Sequence, residues 1–185
     1  MKRIFIAVKI DAGENLLNMI SDLKAGLKEE RIKWTESKNF HITLAFLGDT
    51  EDDKIKAVSK MLKSVCEGSG SFELSVIGAG VFKNSRDPRI IWTGIAHSEK
   101  LFKLHDSVKL GLKEKGISLE ERPFSPHLTL GRIKSIVGKE AFESLITRYQ
   151  DSVLQSQEVL EVILYESILL HSGPVYKPVG RFSLK

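Results

Sequence analysis

Two copies of a short pattern, 86 residues apart, constrain the fold of this chain more than any other feature of its sequence. Residues 41–44 read His-Ile-Thr-Leu, and residues 127–130 read His-Leu-Thr-Leu. Each copy alternates polar and apolar residues, which is the period of a half-buried β-strand. The pattern therefore predicts two strands, each with a histidine and a threonine on one face and apolar side chains on the other.

The repeat extends well beyond these two strands. An apolar, strand-like segment begins 37 residues before each histidine, at Ile4 and at Ile90. Between this segment and the histidine, each half has apolar residues at helical spacing. These residues are Leu16, Leu17, Ile20, Leu23 and Leu27 in the first half, and Leu101, Leu104, Val108 and Leu112, followed by Gly116, in the second.

A second helix and a further strand are predicted after each histidine strand. Thr50 and Asp53 have the spacing of a capping box at the start of the helix in the first half. The apolar stripes of these helices are Ile55, Val58, Leu62 and Val65, and then Ala141, Phe142, Leu145, Ile146 and Tyr149. The alternating residues of the strands are Phe72, Leu74 and Val76, and then Leu160, Val162 and Leu164.

The order strand–helix–strand–helix–strand, occurring twice, predicts an α+β protein. We expect two pseudo-symmetric lobes, each a mainly antiparallel sheet with helices on its outer face, within a single bilobal domain over residues 1–185. Residues 78–80 and 84–89 have the composition of loops rather than of a linker. The lobes are therefore expected to pack closely, with an active-site cleft between them.

Composition excludes several classes of protein. The chain is 42% hydrophobic and 28% charged, which is ordinary for a folded domain, and its apolar runs are far shorter than the roughly 20 residues that span a bilayer. Lys9 and Asp11 limit the apolar N-terminal segment to five residues, fewer than a signal peptide uses, so a cytoplasmic protein is expected.

The single cysteine, Cys66, excludes an internal disulfide and is expected to be a structural thiol. The net charge of +4 suits a polyanionic partner.

The duplicated histidines favour acid–base chemistry over packing, because packing alone would favour apolar residues at these positions. An imidazole of ordinary pKa can accept or donate a proton near neutral pH. Two of them on opposite sides of a phosphorus can divide an in-line displacement, while Thr43 and Thr129 bind the non-bridging oxygens. A 2′,3′-cyclic phosphate suits such a site.

A metal is disfavoured because neither motif contains a carboxylate at ligand spacing. The unpaired His97, His105 and His171 are expected to be solvated or structural.

The two motifs differ five residues after each histidine, where Phe46 and Arg132 stand. Strand parity would place these side chains on the face opposite the histidine unless the strand contains a bulge, which Gly131 can supply in the second copy. Core packing is the favoured interpretation for Phe46, with stacking on a base as the alternative. For Arg132, a phosphate contact and a solvated surface charge remain equally open.

The histidine motifs and their surroundings resemble one known family, the RNA 2′,3′-cyclic phosphodiesterases, which are also called 2′-5′ RNA ligases and belong to the two-histidine phosphoesterases. The resemblance covers nearly the whole chain, and the segments that carry it are Trp34 and residues 39–48, 88–92, 122–132 and 164–167. It implies hydrolysis of RNA 2′,3′-cyclic phosphate ends to 2′-phosphates without a metal or other cofactor. It also implies that His41 is the proton donor to the 3′ oxygen, that His127 accepts a proton from water, and that the reverse reaction would form a 2′-5′ linkage.

Two alternatives to this enzyme remain open from the sequence. One is a related phosphodiesterase that acts on small nucleotide-derived cyclic phosphates, and the other is a non-catalytic RNA-binding module. Two titrating groups at equivalent positions argue against a module that only binds. The expected partner is RNA with a 2′,3′-cyclic phosphate end, or a nucleotide 2′,3′-cyclic phosphate. Neither a membrane nor an obligate oligomer is indicated, so a monomer is expected.

Overall fold

A computed structural model of the chain describes residues 1–84, 87–119, 121–171 and 173–185, without the side chain of residue 84. The strands are β1 (Lys2–Lys9), β2 (Arg31–Trp34), β3 (His41–Thr50), β4 (Phe72–Asn84), β5 (Asp87–Ile95), β6 (His127–Ser135), β7 (Val153–Val159), β8 (Glu161–Leu170) and β9 (Gly173–Ser183). The helices are α1 (Glu14–Gly26), α2 (Asp52–Glu67), α3 (Glu99–Glu114) and α4 (Lys139–Arg148), and a 3-10 turn covers Ser37–Asn39.

The strands form one antiparallel sheet with a symmetric order. Eight strands follow the order β7-β4-β5-β6-β3-β1-β8-β9, and β2 pairs with β6 outside this path. The histidine strands β6 and β3 lie at the centre of the sheet. Moving outward from the centre, β5 corresponds to β1, β4 to β8 and β7 to β9. The predicted α+β architecture of two pseudo-symmetric lobes is confirmed.

Each lobe is assembled from both halves of the sequence. β4 ends the first half of the repeat but pairs with β5 of the second half. Conversely, β8 pairs with β1, the first strand of the chain. The helices exchange in the same way, because α1 packs on α4 and β7, whereas α3 packs on α2 and β3. This exchange joins the two halves through paired strands and a shared core rather than through a linker.

The predicted helical stripes supply much of this core. In α3, all four predicted apolar residues are buried, and the chain turns just after the helix at Gly116, which has φ +69°. In α1 the prediction is wrong for Leu17, which is 45% exposed. Adjacent residues on a helix point about 100° apart, and this step places Leu17 outside the face that Leu16, Met19, Ile20 and Leu23 bury. Cys66 is fully buried at the end of α2, and burial raises the pKa of its thiol to about 12. No described helix has both the length and the apolarity needed to cross a membrane.

Three local predictions are wrong in whole or in part. Thr50 does not cap α2, because its hydroxyl donates a hydrogen bond to the Gly48 carbonyl at 3.1 Å and Glu51 holds the N-cap position without a side-chain bond. The segment 78–80 is not a loop but lies within β4, where a register shift against β5 marks a bulge and Gly78 has φ +64°. The predicted loop 84–89 is wrong at both ends, because Asn84 is the last residue of β4 and residues 87–89 are the first of β5; residues 85 and 86 lie outside the described residues.

The bulge at Gly78 predicts a large loss of stability on substitution. A Cβ at position 78 would lie 2.3 Å from the Gln150 carbonyl oxygen, whereas Gly70, with φ +66°, has no atom within 4 Å of its added Cβ. Gly70→Ala should therefore cost only the left-handed backbone strain, about 1 kcal/mol. Gly78→Ala should cost at least about 2 kcal/mol more, because the backbone must also move. Urea unfolding of the two variants measures the difference, and equal losses would contradict the packing argument.

Candidate active site

The site is built where β3 and β6 meet at the centre of the sheet. These strands are joined at the pair Ile42 and Leu128, which are equivalent residues of the repeat. Continuing this antiparallel register by one residue places His41 opposite Thr129 and Thr43 opposite His127. The two histidines thus lie on one diagonal of a four-residue square and the two threonines on the other, all on one face of the sheet.

This face forms the floor of a cavity of about 500 Å³. All five residues that the sequence singled out for the site line it: His41, Thr43, His127, Thr129 and Arg132. The loops and strands around them provide the walls. The volume is in the range of cavities that hold small organic ligands.

The two histidine rings are held by equivalent hydrogen bonds. His41 Nδ1 lies 2.7 Å from the Asn39 carbonyl oxygen, and His127 Nδ1 lies 2.8 Å from the Ser125 carbonyl oxygen. Because a carbonyl can only accept, each Nδ1 must carry the proton and donate it. Each Nε2 is therefore left free of its proton in the neutral ring and is the nitrogen available for proton exchange.

The surroundings of the two histidines are not equivalent. The His41 ring packs against Phe5 at 4.9 Å and edge-on against Tyr176 at 5.1 Å between ring centroids. The His127 ring contacts Phe82 at 4.8 Å. Burial lowers the pKa of His41, the hydrogen bond to Asn39 raises it in part, and the nearby His127 lowers it further. The fold therefore disfavours the charged form of His41.

The lowered pKa of His41 makes the stability of the protein depend on pH. Because the unfolded chain holds the His41 proton more tightly than the folded chain does, stability is full above about pH 6.5 and falls as the pH drops towards the folded pKa. His41→Gln should make this fall shallower, by at most about 1.4 kcal/mol per pH unit. Urea unfolding between pH 7 and pH 5 measures it. His171→Gln removes an exposed histidine and is the control; an equal change in that variant would contradict the explanation.

Bulges in both central strands turn the fifth residue after each histidine back towards the cavity. In the pairing of β1 with β3, residue 44 is skipped, and in the pairing of β5 with β6, residue 130 is skipped. The bulge inferred next to Gly131 is thus confirmed, and β3 has its counterpart. The prediction that Phe46 packs in the core is wrong. Phe46 is 51% exposed and lines the cavity, and the Arg3 guanidinium lies 5.0 Å from the centroid of its ring. Each bulge adds one residue and so reverses the face on which later side chains lie.

Several cavity residues are not among the predicted site residues, because they belong to strands that the sequence pattern does not indicate. β2 contributes Lys33 and Trp34, and β9 contributes Tyr176. β2 has only four residues, and its alternation is too short to distinguish from a loop. Among the described residues, four cationic side chains line the cavity, and one acidic residue, Glu36, does so in an ion pair with Lys38 at 2.6 Å. The cationic residues are Arg3, Lys33, Lys38 and Arg132.

The other histidines lie outside this cavity. The His105 ring stacks on Phe124 at 4.0 Å and is 3.1 Å from the Asp106 carboxylate, and His171 is exposed. His97 lines a different cavity. Within the described residues, no three histidine, cysteine, aspartate or glutamate side chains are grouped so that they could hold a metal ion.

A curled antiparallel sheet with two lobes and a paired-histidine cleft defines a class of bilobal α+β proteins. The sequence model of one family in this class, described as LigT-like phosphoesterase, matches residues 7–92 and 95–176. The chain belongs to the LigT-like phosphoesterase family.

Relatives and solved structures agree with this family. A protein of Methanothermobacter thermautotrophicus named RNA 2′,3′-cyclic phosphodiesterase is 34% identical over 98% of both chains. A protein of the same name from Thermotoga maritima is also 34% identical, over 95% of this chain and 91% of its own. The crystal structure of E. coli LigT without ligand has a TM-score of 0.74 at 25% identity, covering all of this chain and 98% of that one. The crystal structure of a Thermus thermophilus protein, at 24% identity over 98% and 97% of the chains, shares the fold with a TM-score of 0.80.

Proposed function

We propose that this protein opens RNA 2′,3′-cyclic phosphate ends to 2′-phosphomonoesters by metal-independent acid–base catalysis, as a single bilobal and monomeric unit. The observation that carries the proposal is the matched hydrogen bonding of His41 and His127, which leaves one Nε2 of each ring for a shared cavity. Binding alone would not require two pinned, titratable rings on either side of one site.

Two histidines in different protonation states account for the reaction. His127, neutral, accepts a proton from a water molecule through Nε2 as the water oxygen bonds to phosphorus. The bond from phosphorus to the 3′ oxygen breaks, and protonated His41 gives its Nε2 proton to that oxygen. The 2′ oxygen keeps the phosphate. Transfer of the proton from His127 to solvent and reprotonation of His41 restore the enzyme.

The lowered pKa of His41 suits the role of acid once the substrate is bound. An imidazolium with a low pKa gives up its proton more readily to the departing oxygen. The negative charge of the bound cyclic phosphate favours the charged ring and so opposes the effect of burial. Proton loading of His41 would then be coupled to substrate binding.

Thr43, Thr129 and Arg132 bind the phosphate in this proposal. With the histidines on one diagonal of the square, the hydroxyls of Thr43 and Thr129 are placed to donate hydrogen bonds to the two non-bridging oxygens. Arg132 lines the same cavity and offers a planar, charged donor for a phosphate. Fixing these oxygens would hold the phosphorus on the line between the two rings.

The relatives' names and the cavity both support RNA as the substrate. Both relatives described above are named RNA 2′,3′-cyclic phosphodiesterase. The cationic side chains around the cavity would attract the phosphates of a chain as well as the terminal one. Exposed Phe46 offers a ring on which a base can stack.

The test is incubation with an oligonucleotide that ends in a 2′,3′-cyclic phosphate, in the presence of EDTA. The expected product is the 2′-phosphate, identified by its separation from a 3′-phosphate standard. A 3′-phosphate product, or activity abolished by EDTA, would overturn the proposal. The value of kcat/KM on a mononucleotide 2′,3′-cyclic phosphate is the comparison: we expect the oligonucleotide to be preferred by about tenfold or more, and the opposite preference would indicate a small-nucleotide enzyme.

A further inference from the structure

The end of the β8–β9 hairpin extends beyond the sheet and lies beside His41. Within the described residues, β8 pairs with β1 over residues 163–166, and residues 167–170 pair with β9 alone. Tyr176, in the β9 strand of this end, packs edge-on against the His41 ring at 5.1 Å between ring centroids. Residues 167–170 and 173–176 together are called the hairpin arm below.

Two further contacts fix the position of the hairpin arm. Asn39 Nδ2 donates a hydrogen bond to the Pro174 carbonyl oxygen at 3.2 Å, which ties the arm to the turn before His41. A Cβ added at Gly173 would lie 3.5 Å from Lys33 Nζ, so the arm also reaches β2. The arm thus extends from the His41 ring to Lys33, whose side chain is exposed.

One face of the hairpin arm presents an apolar patch to the cavity. Leu169 pairs with Pro174, and the next pair towards the sheet is Ser167 with Tyr176, on the same face. All four residues line the cavity, and Leu169 is 67% exposed. Apolar side chains exposed beside a ligand cavity are typical of a binding surface. The Leu169–Pro174 patch lies about 7 Å further along the arm than the Tyr176 that contacts His41.

The covalent structure of the ribose gives the direction in which an RNA chain leaves the site. In the proposed mechanism the departing 3′ oxygen lies beside His41, and the attacking water lies on the opposite side of the phosphorus. The 3′ oxygen is bonded to C3′, which is bonded to C4′, and C4′ carries the 5′ carbon that leads to the preceding nucleotide. The terminal base is attached to C1′, on the 2′ side of the ring. The chain therefore leaves on the side of His41 and of the hairpin arm.

We infer that the hairpin arm binds the nucleotide that precedes the 2′,3′-cyclic phosphate end, with its base on Leu169 and Pro174 and its phosphate near Lys33. The inference rests on the proposed function, in which His41 protonates the 3′ oxygen. A base gains contact with the patch by burying apolar surface, and a phosphate beside an ammonium group makes binding depend on salt. The preferred ligand is a single-stranded RNA end of two or more nucleotides, because a paired base could not lie on the patch.

Three short substrates that end in the same 2′,3′-cyclic nucleotide test the inference. They are the mononucleotide, a dinucleotide with adenosine in the first position, and a dinucleotide with an abasic residue there. The adenosine dinucleotide should have a kcat/KM about fivefold above that of the abasic one, the effect of burying roughly 40 Å² of apolar surface. The abasic dinucleotide should in turn exceed the mononucleotide, and this second difference should shrink as salt is added.

Variants locate the two contributions. Leu169→Ser should remove most of the preference for adenosine over the abasic residue and leave kcat/KM on the mononucleotide within about twofold of the wild type. Leu170→Ser is the matched control, because Leu170 is 53% exposed, follows Leu169 on the opposite face of the arm, and is not among the residues that line the cavity. It should change neither value. Lys33→Gln should reduce the slope of log kcat/KM against log salt concentration for the abasic dinucleotide by about 0.7, the loss of one phosphate contact.

The outcomes separate this inference from the proposed function. Equal rates on the two dinucleotides, or an unchanged adenosine preference in Leu169→Ser, would overturn the hairpin arm as a nucleotide site while the opened mononucleotide leaves the hydrolase intact. An equal loss of preference in Leu170→Ser would overturn it as well, and an unchanged salt slope in Lys33→Gln would overturn the phosphate contact. Failure of the wild type to open any of the three substrates would overturn the proposed function, and the inference with it.

Discussion

Replacing either His41 or His127 with alanine should lower kcat/KM for cyclic phosphate opening by at least about a thousandfold, with EDTA present throughout. Each histidine carries one proton transfer in the proposed mechanism, and general acid or base catalysis by one group contributes about 10²–10⁴-fold. The histidines also flank the same phosphorus, so removing either one loosens its position as well. The measurement is the initial rate of 2′-phosphate formation under conditions where the substrate is well below KM.

Controls must separate lost chemistry from lost structure. His41 packs against Phe5 and Tyr176, so His41→Gln is included as a variant that fills more of the space. It should be as inactive as His41→Ala while unfolding closer to the wild type. His171→Ala, at an exposed histidine outside the cavity, should keep full activity. Full activity in any His41 or His127 variant would rule out the two-histidine mechanism.

A substrate with sulfur in place of the 3′ bridging oxygen should rescue only the loss of His41. A thiolate leaves without a proton more readily than an alkoxide does, since an ordinary thiol has a pKa near ~8.5. His41→Ala should therefore turn over this substrate at least about a hundredfold faster than the oxygen substrate, after correction for the same ratio in the wild type. His127→Ala should show no such gain, because its missing step is activation of water.

This experiment assigns the direction of proton flow, which the near-symmetry of the site leaves open. Rescue of His127→Ala instead of His41→Ala would exchange the two roles. Equal rescue of both variants would contradict a division of work between the two rings. The uncatalysed hydrolysis of each substrate at the same pH is the reference for all rates.

Much of the fold could be predicted because the pattern of each predicted element occurs in both halves of the repeat. The buried residues of α3 and of β4 follow from periodicity, which is a local property of the sequence. In the predicted strand of the second half, Val162 and Leu164 are buried in β8, but Leu160 precedes β8 and is 58% exposed. Local sequence does not carry pairing between distant segments. The exchange of β4 and β8 between the lobes depends on contacts between residues far apart in the chain. The short β2 and the hairpin strand β9 have too little apolar alternation to be distinguished from loops.

The same division applies to the site. The positions of the histidines and threonines followed from alternation along two strands, and all four side chains line one cavity. The side on which Phe46 lies could not be predicted by counting, because the bulge at residue 44 is a property of pairing with β1. Gly131 gave a signal for the equivalent bulge in β6, since glycine within a strand often marks one.

The sequence by itself determined that this chain has two equivalent strands, each with a histidine and a threonine on one face, because that information lies in the spacing of a few neighbouring residues. Only the tertiary structure decided that the strands meet at Ile42 and Leu128, so that the four side chains form a square. It also decided that His41 is packed against aromatic rings from β1 and β9, which lowers its pKa. The physical reason is that burial and register depend on which distant segments meet. Two nearly identical motifs therefore acquire different acid–base properties only when the chain is folded.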